Sequence, residues 1–261
     1  MAKSILLVIL AVLPTFIIGY YVYKNDKHKE PFRILISLFL FGIVSAIGVI
    51  GLSAVLESFI PVLSKDTSIM NIPELFLKVF IEIAFIEELC KWFIVYFLGY
   101  RNLEFDETYD IIIYSIFVAL GFATIENMIY ILKTNTVQIA VQRALFSVPA
   151  HTAYAIFMSY YLCKAKINRL KGNNKEKKDI LLSILVPTIA HGIFDFCLFA
   201  NNEFYLTMFF AFTIVLFIIA FQRLRELYKT NASLFSIKRS CKNCGYVFYG
   251  LKCPNCNTRQ D

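Results

Sequence analysis

The chain has 261 residues, of which 58% are hydrophobic and only 17% are charged, with a formal net charge of +7. Soluble globular chains carry nearer 25% charged residues, so the composition excludes an ordinary soluble domain and indicates a polytopic membrane protein. The surplus of Lys and Arg gathers between apolar runs and in the C-terminal tail, which reads as a topology signal rather than a nucleic-acid surface.

Seven apolar runs predict seven transmembrane helices, near 4–23, 34–57, 75–100, 110–132, 145–163, 180–200 and 204–222. Each is close to the roughly 20 residues that cross a bilayer. The first run is longer than a signal-peptide core and ends without a small-x-small cleavage pattern, so it reads as an uncleaved span. Gly42, Gly48 and Gly51 in the second would allow a close helix contact. Segment 134–148, which carries Arg143, reads as an interfacial helix leading into the fifth span. Basic residues crowd the first-to-second and fifth-to-sixth connections and the tail, and Arg101 follows the third span. The alternate connections carry little: Lys65 and Lys133, beside Arg143 in the interfacial segment. Positive-inside logic then puts the N-terminus outside and the C-terminus in the cytoplasm of a multi-pass cell-membrane protein. The expected organisation is an all-α transmembrane domain over 1–228, a linker over 229–240 and a small C-terminal zinc ribbon over 241–261.

Ionisable residues inside the spans point to function, because each is costly there. The third span holds Glu87, Glu88 and Lys91 within five residues. Glu87 and Lys91 are spaced i,i+4, so they share a helical face. The fourth span holds Glu126 and Asn127. The fifth holds His151 shortly after Pro149, and the sixth holds His191 and Asp195, also i,i+4, shortly after Pro187. Counting from either end of each span at about 1.5 Å per residue brings these groups into one slab, at mid-membrane and slightly outward. A desolvated carboxylate can act as a general base on water, and an imidazole can donate to an oxyanion or bind a metal. Glu82 reads as a structural or lipid-interface group, Arg143 as an interfacial anchor or a partner for the acidic cluster, Asn127 as a helix–helix polar contact and Trp92 as packing.

The set Glu87-Glu88-x-x-Lys91, Phe122-Ala123-Thr124-Ile125-Glu126-Asn127, His151 after Arg143, and His191-x-x-x-Asp195 resembles the PrsW family of intramembrane proteases. That family is distantly similar to the CAAX prenyl proteases and bacteriocin-processing enzymes. The resemblance covers about 75–200 and implies cleavage of a membrane-anchored protein substrate, with anti-sigma factors as the known substrate type. It implies catalytic roles for Glu87, Glu88, Glu126, His151, His191 and Asp195. The CAAX relatives usually have His where this chain has Glu126, and Arg one residue beyond the position of Lys91, which favours the PrsW branch. Two mechanisms stay open. In one, Glu87 activates water, Glu126 shares that water or holds a proton, and His191 stabilises the oxyanion. In the other, a catalytic Zn²⁺ sits at His151, His191 and a carboxylate.

The tail carries a separate motif, Cys241-x₂-Cys244, eight residues, then Cys253-x₂-Cys256. Paired C-x₂-C knuckles suit tetrahedral Zn²⁺ on four thiolates, and a cytoplasmic location keeps such thiols reduced. The ribbon could recruit a cytoplasmic protein partner; nucleic acid is not the expected ligand. Two other functions share these features: a proton-coupled carrier, which also uses intramembrane Glu, His and Asp, and a non-catalytic scaffold that recruits a partner through its ribbon. The charge bias makes a direct prediction. A membrane-impermeant thiol reagent applied outside should label a cysteine engineered between Asn201 and Phe204 and leave one at Asn168–Lys177 unlabelled; the reverse pattern would invert the topology.

Overall fold

The computed structural model describes residues 2–102, 104–229, 238–249, 253–256 and 258. Long helices dominate. α1 spans Ala2–Asn25 and α2 Phe32–Phe59, joined by a tight polar turn. After two short 3₁₀ turns, α3 covers Ile72–Leu77, a π-helical stretch covers Lys78–Phe85, α4 covers Ile86–Ile94 and a second π-helical stretch covers Val95–Tyr100. These four pieces form the third rod. α5 spans Asp110–Thr134, α6 Val137–Gln142, α7 Val148–Leu170, α8 Glu176–Phe199 and α9 Glu203–Lys229. Five helices among the described residues (α1, α2, α5, α8 and α9) are long and apolar enough to cross a membrane by length and composition. The third rod is divided by its π turns, and α7 is more polar; together they complete the seven expected spans.

Local sequence explains the breaks. Asn71 caps α3, accepting from the Glu74 N–H while Glu74 reaches back to the Asn71 N–H. Pro149 lies inside a continuous helical run from Val137 to Leu170, directly after a π turn over Arg143–Ser147, and the wide turn accommodates the loss of the helix hydrogen bond its ring removes. Pro187 lies inside α8, one turn before His191, and removes a helix hydrogen bond there. The predicted interfacial segment is α6 with the π turn that follows it. The basic connection between the fifth and sixth expected spans narrows to residues 171–175, because α7 continues to Leu170 and α8 begins at Glu176.

α5 is the centre of the bundle. Of its most apolar stretch 78% is buried, against 22% for α9 at the periphery. The largest interfaces are α2 with α5 and α7 with α8, followed by α1 with α5 and α5 with α7. The α2–α5 crossing is a backbone-to-backbone contact. A Cβ on Gly42 would sit 2.2 Å from the Val118 carbonyl oxygen, and one on Gly121 would sit 2.0 Å from that of Phe39. Only Gly42 of the three α2 glycines serves this contact. Gly48 meets nothing nearer than the Cys90 sulfur at 3.6 Å, and Gly51 faces open space.

A buried polar knot ties the α1–α2 turn to the start of α5. Tyr114 donates to Glu30 at 2.5 Å, and Asp26 accepts from the backbone N–H groups of His28 and Glu30. Burial pushes the carboxyls of Asp26 and Glu30 above their usual range. Beyond the bundle, β1 (Lys238–Ser240) and β2 (Val247–Tyr249) pair antiparallel, with Ser240 opposite Val247. Most of the expected linker, 230–237, lies outside the described residues.

Candidate active site

Six expected residues meet at the junction of α4, α5, α7 and α8. Glu87, Glu88 and Lys91 come from one face of α4, and all three are buried, Glu88 and Lys91 almost completely. Glu126 comes from α5, His151 from α7, and His191 and Asp195 from one face of α8. A wide turn precedes α4, and π-helical geometry of this kind recurs where helices serve functional sites.

The side chains form an unbroken chain of contacts. Arg143 Nη2 lies 2.7 Å from Glu126 Oε2, and the same oxygen is 2.8 Å from His151 Nε2. His151 Nδ1 is 3.1 Å from Lys91 Nζ. An ammonium only donates, so Nδ1 carries the lone pair and Nε2–H donates to Glu126. Lys91 reaches Glu88 Oε1 at 2.6 Å and Glu87 Oε2 at 3.4 Å. Glu88 Oε1 also faces His191 Nδ1 at 3.1 Å. His191 Nε2 is 3.2 Å from Asp195 Oδ2 and 4.0 Å from Glu87 Oε2. The Lys91 ammonium also lies 4.3 Å from the centre of the Phe122 ring, a cation–π contact that adds to its anchoring.

The two adjacent glutamates are not equivalent. Glu88 is locked by Lys91 and His191 through one oxygen, while its Oε2 is buried without a partner. Glu87 is held more loosely, at 3.4 and 4.0 Å. Beside this network lies a cavity of about 320 Å³ whose wall includes Glu126, His151, Tyr154, His191 and Asp195 on one side. Phe194, Phe199, Leu206, Phe209 and Phe210 line its apolar part. Glu87 and Glu88 lie outside that wall and reach it through His191.

The donor set fits a divalent metal. One ligand atom each from Glu87, Glu88 and His191 lies within 4.8 Å of the others, and Glu88 Oε2 is the kind of orphaned buried acceptor a cation satisfies. His151, expected as a ligand beside His191, is not in that group; its ring nitrogens face Lys91 and Glu126. In the tail, the sulfurs of Cys241, Cys244, Cys253 and Cys256 also lie within 4.8 Å of one another. The Cys241–Cys256 and Cys244–Cys253 separations are 3.4 and 3.6 Å. A tetrahedral Zn²⁺ with bonds of about 2.3 Å asks for sulfur pairs about 3.8 Å apart, so this cluster fits a metal as well.

The profile of the PrsW family intramembrane metalloproteases matches residues 30–222. The chain belongs to the PrsW family. It is similar to Protease PrsW of Oceanobacillus iheyensis, 35% identical over 215 residues, which cover 82% of this chain and 93% of that protein. With Protease PrsW of Clostridioides difficile the identity is 32% over 233 residues, covering 88% and 94%. With that of Bacillus subtilis it is 33% over 187 residues, covering 72% and 79%. No solved structure matches the chain. This PrsW-family protein is therefore an intramembrane protease, and the contact chain described above lies within the matched region.

Several side chains around the site have contacts that spacing alone does not settle. Arg143 stood between interfacial anchor and partner of the acidic cluster; it is the partner, bound to Glu126 and held by Asn127 and Ser147. Asn127 makes the helix–helix polar contact expected of it, donating to the Ala11 carbonyl of α1 at 2.8 Å. Trp92, which reads as packing, donates to Ser183 of α8 at 2.8 Å. Tyr154, one turn after His151, carried no signal beyond its spacing; its ring stacks on His191 at 4.8 Å and 16°. Glu82 lies outside the network and pairs with Lys78 at 3.3 Å. Because Lys91 bridges both glutamates and His151, Lys91→Met should destabilise the protein by about 3–5 kcal/mol through uncompensated buried charge. The double variant Lys91→Met/Glu88→Gln should recover a good part of that loss, read as the thermal unfolding midpoint in detergent. Equal stability of the wild type and the single variant would show that the ammonium carries no such load.

Proposed function

We propose that the six residues form the catalytic centre and that the protein cleaves a single-span, membrane-anchored protein of the anti-sigma-factor type. The observation that carries this is the contact chain from Arg143 to Asp195, which gathers acids and bases from four helices beside a partly apolar cavity. Glu87, the less tightly held glutamate, is the general base that takes a proton from the attacking water. Glu88 fixes Lys91 and His191 and so sets the charge around that water. Glu126 and His151 form a second acid–base pair that receives or returns a proton across the cavity. Asp195 faces His191 Nε2 and orients the ring, and His191 stabilises the developing oxyanion by sharing that Nε2 proton. The proton collected by Glu87 returns to the leaving amide nitrogen as the C–N bond breaks.

A metal-assisted version has its own support, in the donor set Glu87, Glu88 and His191 and in the family's description. An ion held there would supply Lewis-acid polarisation of water or the scissile carbonyl. The roles of Asp195, Glu126 and His151 as orienting and proton-handling groups are the same in both versions. The charge bias supports an external N-terminus and a cytoplasmic tail, so that the centre lies in the outer half of the membrane.

Comparing the membrane proteomes of cells carrying the wild type and Glu87→Gln identifies the substrate and tests the assignment together. Glu87→Gln should lower cleavage by about 10²–10⁴-fold while the protein inserts and purifies normally. Undiminished turnover in that variant would end the assignment of Glu87.

We assign Cys241, Cys244, Cys253 and Cys256 to a structural Zn²⁺ that folds the tail into a ribbon able to recruit a cytoplasmic protein. Removing 235–261 should take away one zinc per chain and leave the membrane domain folded and able to cleave a short substrate. An equal zinc content with and without the tail, measured by elemental analysis of protein purified without chelator, would defeat this.

A further inference from the structure

The tetrahedral intermediate of peptide hydrolysis places a full negative charge on the former carbonyl oxygen, which needs a hydrogen-bond donor aimed at it in a water-poor site. Hydrogen-bond accounting narrows the choice of donor. Lys91 has three N–H donors, and three acceptors surround it: Glu87, Glu88 and His151. The Nε2 proton of His151 is committed to Glu126. Arg143 commits Nε to Asn127 and Nη2 to Glu126 and Ser147, three of its five N–H donors, and is held in place by them. His191 faces Glu88 with one nitrogen and Asp195 with the other, so it serves an oxyanion only by sharing a proton with Asp195.

The Tyr154 hydroxyl is different. Tyr154 lines the cavity and is 1% exposed, and its oxygen is buried without a hydrogen-bond partner. No other side chain in the cavity wall, among the described residues, has a buried polar atom in that condition. A buried hydroxyl without a partner costs free energy in the resting protein, and that cost is recovered when an acceptor arrives. The ring is fixed by stacking on His191 and by an edge contact with Phe194, whose centroid is 6.4 Å away. The phenol is thus a preset donor on a rigid platform beside the imidazole.

We infer that Tyr154 is a catalytic residue of this site, its O–H donating to the oxyanion of the scissile peptide bond. The water oxygen bonds to the carbonyl carbon, the π electron pair moves onto the oxygen, and the water proton goes to Glu87. Tyr154 keeps its own proton and donates a hydrogen bond only. When the C–N bond breaks, the pair returns to re-form the carbonyl, and the proton on Glu87 passes to the amine.

The inference rests on the reading of this cavity as the protease centre, and the experiment separates the two. Wild type, Tyr154→Phe and Glu87→Gln are purified full-length and assayed on a single-span membrane reporter that the wild type cleaves. Tyr154→Phe keeps the ring and its stacking, so it should fold with an unchanged or higher unfolding midpoint. Its kcat should fall about 10²–10³-fold, the loss typical of one oxyanion donor, with KM little changed. A Tyr154→Phe enzyme with wild-type kcat, beside an inactive Glu87→Gln, overturns the role of Tyr154 alone. Activity in both variants overturns the reading of the site beneath it. A fall in kcat accompanied by a lower unfolding midpoint and a raised KM would mark the hydroxyl as structural, which also overturns the inference.

Discussion

The fold depends on keeping charge balanced in a place that tolerates little of it. Four carboxylates, Glu87, Glu88, Glu126 and Asp195, meet two permanently cationic side chains, Lys91 and Arg143, and two imidazoles. The carboxylates outnumber the fixed cations by two. An uncompensated charge inside a bundle is strongly destabilising, so the difference is met by two protons shared within the network or by one divalent cation. Either solution leaves a centre in which protons or an ion must be present for the helices to pack. On the proposed assignment, the chemistry of hydrolysis and the stability of the bundle therefore draw on the same groups. Each of the four contributing helices is held in rotation by a residue that faces inward because its partner does.

Much of this was legible from spacing alone. A helix repeats its faces at i,i+4, so Glu87 with Lys91 and His191 with Asp195 had to lie on common faces, and depth along each span brought the four helices' polar groups to one level. The tail knuckles were legible because four thiols at that spacing have few other uses. What spacing leaves open is rotation about each helix axis. Spans that are apolar all round give no periodic signal to fix it. That is why Arg143 could not be assigned to Glu126, and why Tyr154 was invisible among 15 tyrosines. It is also why Gly42 could not be told from Gly48 and Gly51 as the contact glycine. The knot of Asp26, Glu30 and Tyr114 was missed for another reason. Asp26 and Glu30 lie in the α1–α2 connection and Tyr114 in the second turn of α5, far apart in sequence, and they meet only once α1, α2 and α5 are packed.

Two hydrogen bonds fix α4 against α8 at separate heights. Glu88 meets His191, and one turn further along α4, Trp92 meets Ser183. Movement in opposite directions along the two chains marks the pair as antiparallel. Two polar anchors set both rotation and translation, where apolar packing alone permits sliding. Asn127 does the same between α5 and α1. Polar contacts between membrane helices are each worth little on average, but here they set the register on which the geometry at Glu87 depends.

The glycine contact between α2 and α5 constrains how a protein of this kind can diversify. Where two backbones touch, no larger residue can enter without separating the helices, so the face of the site carried by α5 is closed to gradual change. The apolar part of the cavity wall comes from the C-terminal end of α8 and from α9, and of the five longest apolar helices α9 has least of itself buried in the bundle. Residues such as Phe199, Leu206 and Phe210 can change in size without disturbing a backbone contact. On the proposed assignment, new preferences for the residues flanking a scissile bond would therefore accumulate at these apolar positions, while the polar groups of α5 and α7 stay fixed.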